Sequence, residues 1–106
     1  MRDILLFIGA AFFEIFGCFT FWLYFRLHKS VLWLIPGLVS LILFALLLSQ
    51  IKVDFAGRTY AIYGGIYIVA SIVWLYAVEH KTPDAWDIIG GGICILGAMI
   101  IFLMPR

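Results

Sequence analysis

The sequence predicts an all-α membrane protein in which four transmembrane helices form a single domain (residues 1–106). The first observation is composition: of 106 residues, 66% are hydrophobic and 12% are charged, whereas a soluble domain is about 45–50% apolar and about 25% charged. A small soluble domain buries only about 60–70% of its unfolded surface. The apolar excess must therefore face lipid.

The second observation is that the charged residues separate four apolar runs. Each run has roughly 20 residues, which is the length that a helix needs to cross about 30 Å of hydrocarbon. Backbone polar groups in lipid must bond within the segment, so the runs are expected to be helices. The predicted spans are about residues 4–25, 31–51, 59–78 and 86–104.

The ends of the spans carry local signals. Residues 52–58 form a polar connection, and Pro36 lies in the first turns of the second helix, where its missing N–H costs least. Thr82-Pro83 predicts an N-cap followed by proline at the first position of the fourth helix. The first run is too long for a cleavable signal peptide and carries a glutamate at its centre.

Several function classes find no support. A net charge of +1 does not favour nucleic-acid binding. The two histidines, His28 and His80, lie between spans, and no span holds a pair of carboxylates, so neither an enzyme nor a cofactor is predicted. Cys18 and Cys94 both lie inside apolar runs, where thiols usually act as small hydrophobic groups rather than as a disulfide.

Glu14 is a charged residue in the middle of the first span. Placing an ionised side chain there costs roughly 2.5–3.5 kcal/mol, so an intramembrane carboxylate is first read as a proton or cation site. Loss of water favours the neutral acid, and such a group holds a proton or, once ionised, a cation. The alternative is a permanently protonated glutamate, or one that only holds helices together. Its helical neighbours are small on one side, namely Ala10, Ala11, Gly17 and Cys18, and Gly17 and Cys18 are predicted to line a substrate cavity.

The third span carries an aromatic face that runs through its interior. The face is predicted either to be the wall of a substrate cavity, in which tyrosine hydroxyls bond to Glu14 and the rings attract a cation, or to be an aromatic packing stripe whose hydroxyls find backbone partners. Its members, called the tyrosine face below, recur at helical spacing: Tyr60, Tyr63, Tyr67, Ser71 and Trp74.

The fourth span carries small residues along one side. Such residues let membrane helices pack closely, so this side is available to a partner subunit. Three consecutive glycines weaken a helix by about 1 kcal/mol each relative to alanine, which favours a packing reason for them. The members, called the glycine seam below, are Gly90, Cys94, Gly97 and Ile101.

Three segments resemble the YnfA family of small bacterial membrane proteins. They are EIFGCF around Glu14, GRTYAIYGGIY from residue 57 to 67, and PDAWDIIGGGICILGAMII followed by Pro105-Arg106. The resemblance covers nearly the whole chain. More broadly, the chain resembles the small multidrug resistance superfamily, whose members have four short helices and a membrane-embedded glutamate in the first.

That resemblance implies an antiparallel homodimer that exchanges cationic substrates for protons in the bacterial inner membrane, with Glu14 as the shared proton and substrate site. It also implies that Tyr60 and Trp74 line the cavity, that Gly64 and Gly65 make the third helix flexible, and that Gly90 and Gly97 form the dimer contact.

The sequence departs from the superfamily pattern at two places. Tyr63 stands where a tryptophan is usual, and residues 65–67 do not reproduce the usual glycine spacing. Arg58 places a fixed positive charge at the mouth of the third helix, either as an interfacial anchor or facing the cavity, where it would repel cations or fix Glu14.

The leading functional hypothesis is therefore a proton-coupled exporter of small hydrophobic or guanidinium-like cations. The alternatives are a structural or channel-type subunit with Glu14 as an assembly residue, and an exporter of soft metal ions that uses Glu14 with Cys18 and Cys94. Basic residues barely choose an orientation: Arg2, Lys52, Arg58 and Arg106 share one side, and Arg26, Lys29 and Lys81 the other. Insertion in both directions, and head-to-tail pairing, are therefore expected.

Overall fold

The computed structural model describes residues 2–105, and within them it contains four long α-helices and no strand. Each helix is long and apolar enough to span a membrane, once a short 3₁₀ turn at Val31–Trp33 is counted with the second. The all-helical prediction is therefore confirmed. The helices are α1 (Arg2–Phe25), α2 (Leu34–Ser49), α3 (Ala56–Ala77) and α4 (Ala85–Leu103).

Two helix starts differ from the predicted ones. Helix α4 is capped by Asp84 rather than Thr82: the Asp84 carboxylate accepts the Asp87 N–H at 2.9 Å, and the Asp87 carboxylate accepts the Asp84 N–H at 3.1 Å. This reciprocal capping box satisfies two N–H groups together, which Thr82 without such a partner does not. Helix α3 begins at Ala56, so Arg58 belongs to its first turn and not to the connection.

The chain forms two compact units, each a hairpin of consecutive helices. The first unit ends at Ile51 and pairs α1 with α2; the second begins at Lys52 and pairs α3 with α4. Pro36 is the third residue of α2, as its predicted place in the first turns requires. Arg106, one of the basic residues used above to judge orientation, lies outside the described residues.

Close backbone contact holds α1 against α2. A Cβ atom on Gly37 would collide with the Thr20 hydroxyl, and one on Gly17 would lie 2.7 Å from Leu41 Cγ and 3.0 Å from the Gly37 carbonyl oxygen. The buried Thr20 hydroxyl donates to the Gly17 carbonyl at 2.6 Å. Glycine is needed at both positions because the two helices approach too closely for any side chain.

The second hairpin repeats this device with different residues. A Cβ atom on Gly65 would lie 2.5 Å from Ala98 Cβ and 2.7 Å from the Cys94 carbonyl oxygen, and one on Gly91 would lie 2.7 Å from Ile72 Cδ1. By contrast, nothing lies within 4 Å of a Cβ atom on Gly64. The adjacent glycines of α3 therefore differ, and Gly65 is the one that contacts α4.

This difference yields a matched pair of variants. Gly65→Ala should lower the free energy of unfolding by about 1–3 kcal/mol, because the new methyl group overlaps a backbone carbonyl that cannot rotate away. Gly64→Ala enters open space and should be neutral or raise stability by up to about 1 kcal/mol through helix propensity. Reversible unfolding in mixed micelles measures both. Equal stabilities for the two variants would contradict the α3–α4 contact.

Candidate functional site

Glu14 lies at the middle of α1 and is half-buried. The small residues around it are not alike: Ala10, Ala11 and Gly17 are buried, whereas Cys18 is exposed. The carboxylate therefore sits beside a stretch of α1 that presents almost no side-chain bulk. Such a stretch allows another helix to come near the carboxylate, and at Gly17 that helix is α2.

Helix α2 fixes the backbone next to Glu14. The Ser40 hydroxyl donates a hydrogen bond of 2.7 Å to the carbonyl oxygen of Phe13, the residue that precedes Glu14. Ser40 is only 4% exposed, so the bond satisfies a hydroxyl that has no access to water. The sequence reasoning missed this contact because a lone serine in an apolar run gives no sign of which carbonyl it reaches.

Gly17 and Cys18 were both predicted to line a cavity, and the structure gives them different surroundings. Gly17 packs into the α1–α2 contact against Leu41 and Gly37. Cys18 has a free thiol one helical turn from Glu14, and the thiol of Cys94 is also free. Among the described residues, no group of three or more His, Cys, Asp or Glu side chains is placed to hold a metal ion.

The tyrosine face is continuous over most of its predicted length. The Tyr63 and Tyr67 rings are tilted against each other with centroids 5.9 Å apart, and the Ser71 hydroxyl donates to the Tyr67 carbonyl at 2.8 Å. Tyr63 is buried and Trp74 half-buried, while Tyr60 is 59% exposed near the start of α3. Glu14 belongs to the first hairpin and this face to the second, and their contact stays a prediction.

Arg58 lies half-buried in the first turn of α3. Its guanidinium carbon lies 5.8 Å from the centroid of the Phe55 ring, within the range of a cation–π contact. Phe55 is the residue that precedes the helix. This contact holds the charge at the end of the helix, where an interfacial anchor would be.

Helix α4 has two small-residue faces rather than one. Gly91 and Ala98 are buried and face α3, whereas Gly90 and Gly97 are exposed and have open space where a Cβ atom would stand. The sequence reasoning identified only the exposed face. A run of three glycines presents small residues on three sides of a helix, so the run alone does not tell which side packs.

The remaining members of the glycine seam lie at the edge between these two faces. Cys94 is half-buried and places its carbonyl oxygen against Gly65 of α3. Ile101 is also half-buried. The exposed part of the seam is therefore Gly90 and Gly97.

Comparison with known proteins adds the family. Residues 1–106 match the family described as "Uncharacterised BCR, YnfA/UPF0060 family". This chain belongs to that family. UPF0060 membrane proteins of Zymomonas mobilis, Methylocella silvestris and Pseudomonas syringae are 56%, 54% and 57% identical to it, over 96–100% of this chain and 95%, 98% and 96% of their own lengths. No solved structure matches the chain.

The predicted YnfA resemblance is thereby confirmed. The relatives are named membrane proteins, in agreement with the four apolar helices of this chain. This YnfA/UPF0060 protein is a multi-pass membrane protein.

The Ser40 hydrogen bond gives a test of how α2 supports the Glu14 region. Ser40→Ala should lower the free energy of unfolding by about 0.6 kcal/mol, and at most by about 2, because it removes a bond between helices in an apolar setting. Ser49→Ala is the control, since the Ser49 hydroxyl is exposed and bonds to Leu46 of its own helix. If both variants unfold alike, the contact does not contribute to the packing of α1 on α2.

Proposed function

We propose that this protein is a proton-coupled transporter of the small multidrug resistance type. It exports small hydrophobic or guanidinium-like cations across the bacterial inner membrane by alternating access. The observation that carries the proposal is Glu14, half-buried at the centre of an apolar helix beside the buried Ala10, Ala11 and Gly17. An ionised carboxylate at that depth lowers stability, and binding of a proton or a cation would account for its presence.

The chemistry of one carboxylate is sufficient for exchange. Glu14 holds a proton when it is neutral and attracts a cation when it is ionised, so the two ligands exclude each other. A cation that enters from one side displaces the proton, and a proton that enters from the other side displaces the cation. Binding of each ligand then weakens binding of the other by the same factor.

The tyrosine face supplies the rest of the substrate site. Aromatic ring faces attract cations, and the effect is larger where water is excluded. Tyr63 and Tyr67 offer a buried ring and a half-buried ring in contact. Arg58 precedes Tyr63 by five residues and Tyr67 by nine, or about 7.5 Å and about 13.5 Å along the helix at 1.5 Å per residue, so Tyr67 is the ring that lies farther from its charge.

Glu14→Gln tests the coupling. The amide keeps the shape of the side chain but cannot release a proton, so cation-driven proton release and proton-driven cation transport should both fall to background. Tetraphenylphosphonium and guanidinium serve as probe cations, with the protein reconstituted in vesicles that carry a pH gradient. Glu79→Gln is the control because Glu79 is exposed after the end of α3 and should leave transport unchanged.

Two outcomes would count against the proposal. Wild-type transport by the Glu14→Gln variant would remove the carboxylate from the mechanism. A wild-type protein that binds neither cation, together with a Glu14→Gln variant that no longer assembles, would favour the alternative in which Glu14 only holds helices together.

The proposed working form is an antiparallel homodimer. Four helices of about 20 residues leave little interior for a substrate path, whereas two copies bring two Glu14 residues to one cavity. In antiparallel pairing the inward-open and outward-open states are nearly equivalent, which suits alternating access around a site at the bilayer midplane. The exposed Gly90 and Gly97 of α4 are the surface proposed for contact.

A second matched pair of glycines tests this contact. Gly97→Leu should weaken dimerisation in detergent by roughly tenfold or more, because the new side chain fills the surface on which the partner helix would pack. Gly92→Leu should not, although Gly92 is also an exposed glycine of α4 with open space around it. Förster transfer between labelled copies at increasing detergent dilution measures the dissociation.

The orientation of the two copies is read from the same assembly in intact cells. A cysteine tag at the C-terminus should react with an impermeant reagent in about half of the copies, as head-to-tail pairing requires. Labelling of all copies, or of none, would contradict insertion in both directions, and dimerisation unaffected by Gly97→Leu would contradict the contact surface.

A further inference from the structure

The two hairpins carry similar sequences at the end of their first helix. Residues 22–30 read WLYFRLHKS and residues 74–82 read WLYAVEHKT, so five of nine positions are identical at a fixed spacing of 52. A serine in the first segment also corresponds to a threonine in the second. The first hairpin turn is defined here as residues 26–30, and the second hairpin turn as residues 78–82.

The residues that the two segments share adopt the same backbone conformation. His28 and His80 both adopt the left-handed conformation, with φ of 57° and 58°. The following lysine N–H then returns to the last turn of the helix: Lys29 donates to Leu23 at 2.9 Å and Lys81 donates to Leu75 at 3.0 Å. These bonds satisfy carbonyl groups at the helix end. Helix capping thus accounts for the repeated histidine and lysine.

Capping does not account for what differs between the two turns. Residues 25–27 are Phe-Arg-Leu, whereas the corresponding residues 77–79 are Ala-Val-Glu. The first turn therefore carries Arg26, His28 and Lys29, and the sequence has no acidic residue from 15 to 53. The second turn carries an acidic residue beside its lysine, and two aspartates follow at 84 and 87. With histidine neutral, the first turn has a net charge of +2 and the second is neutral, and residues 78–87 together have a net charge of −2.

The first turn also has a cleft at its surface. The cleft has a volume of about 340 Å³ and is lined by Tyr24, Phe25, His28 and Lys29. Two of these side chains are aromatic and two carry nitrogen donors. Phe25 is 63% exposed, so the apolar wall of the cleft continues onto the outer surface of α1.

The cleft lies where a membrane helix reaches the interface. Tryptophan and tyrosine prefer this level of the bilayer, and Trp22 is 44% exposed. The Arg26 guanidinium carbon lies 4.3 Å from the centroid of the Trp22 ring, so the cation is held beside the aromatic layer. Basic residues at this level attract anionic lipid headgroups.

We propose that the first hairpin turn binds the headgroup of an anionic phospholipid, and that the second turn does not. Lys29, His28 and Arg26 supply donors and charge for the phosphate, while Phe25 and Tyr24 pack against the glycerol backbone and the upper acyl chain. A lipid, rather than a free phosphate ion, fits the cleft because half of its lining is aromatic and open to the lipid face of α1. The proposal is independent of transport.

The internal repeat provides the controls for the test. The triple variant Phe25→Ala, Arg26→Val and Leu27→Glu gives residues 25–27 the side chains of residues 77–79. It keeps His28 and Lys29, whose backbone forms the helix cap. Native mass spectrometry of the full chain, released from nanodiscs of equimolar phosphatidylglycerol and phosphatidylcholine, counts the retained lipids. The preference for phosphatidylglycerol should fall at least about fivefold, since one basic residue near the surface contributes about that factor.

The reciprocal variant Ala77→Phe, Val78→Arg and Glu79→Leu should gain a second retained phosphatidylglycerol. Arg26→Gln with Lys29→Gln guards against misfolding of the triple variant, because it leaves the backbone N–H of residue 29 free to cap the helix and adds no acidic residue. It should lose the same preference. An unchanged preference in both loss variants would overturn the proposal. Displacement of the lipid by millimolar glycerol 1-phosphate would also overturn it, since the site would then take a soluble anion.

Discussion

Helices that lie in lipid gain nothing from the hydrophobic effect when they leave lipid tails for one another, so each hairpin depends on close packing at glycine. In the first hairpin Gly17 lies against Gly37, and the Thr20 hydroxyl that packs against Gly37 donates to the Gly17 carbonyl of its own helix. In the second it is Gly65 against Ala98 and the Cys94 carbonyl. Each hairpin thus uses one narrow side of each helix for this packing, and the other sides remain available for lipid, a partner or a substrate.

The packing of α1 on α2 helps to place Glu14. The side of α1 that carries Gly17 packs against Gly37 of α2. The Ser40 hydroxyl of α2 donates its hydrogen bond to the carbonyl oxygen of Phe13, which precedes Glu14. Residues 34–49 of α2 include no basic side chain.

The sequence predicted the four helices because hydropathy alone determines which segments leave water. It predicted their ends less well: the cap at Asp84 depends on its partner Asp87, and a threonine followed by proline gave an equally plausible start two residues earlier. It did not predict which glycines pack, since Gly64 and Gly65 are indistinguishable as letters and differ by 100° around the helix. Gly17 was assigned to a cavity for the same reason. The repeated hairpin turn is visible in the sequence as residues 22–30 and 74–82. The sequence reasoning missed it because the two halves of the chain differ outside these segments.

That repeat bears on how the chain is oriented. The first turn carries Arg26 and Lys29, whereas the second carries Lys81 together with Glu79. Acidic residues contribute little to orientation, and the count of basic residues is nearly balanced. A headgroup site at the first turn works equally in either leaflet, since it needs only an aromatic layer, a basic cluster and an anionic lipid. If two copies pair head to tail as proposed, one such turn lies at each membrane surface, and the same contact anchors both copies without favouring one direction of insertion.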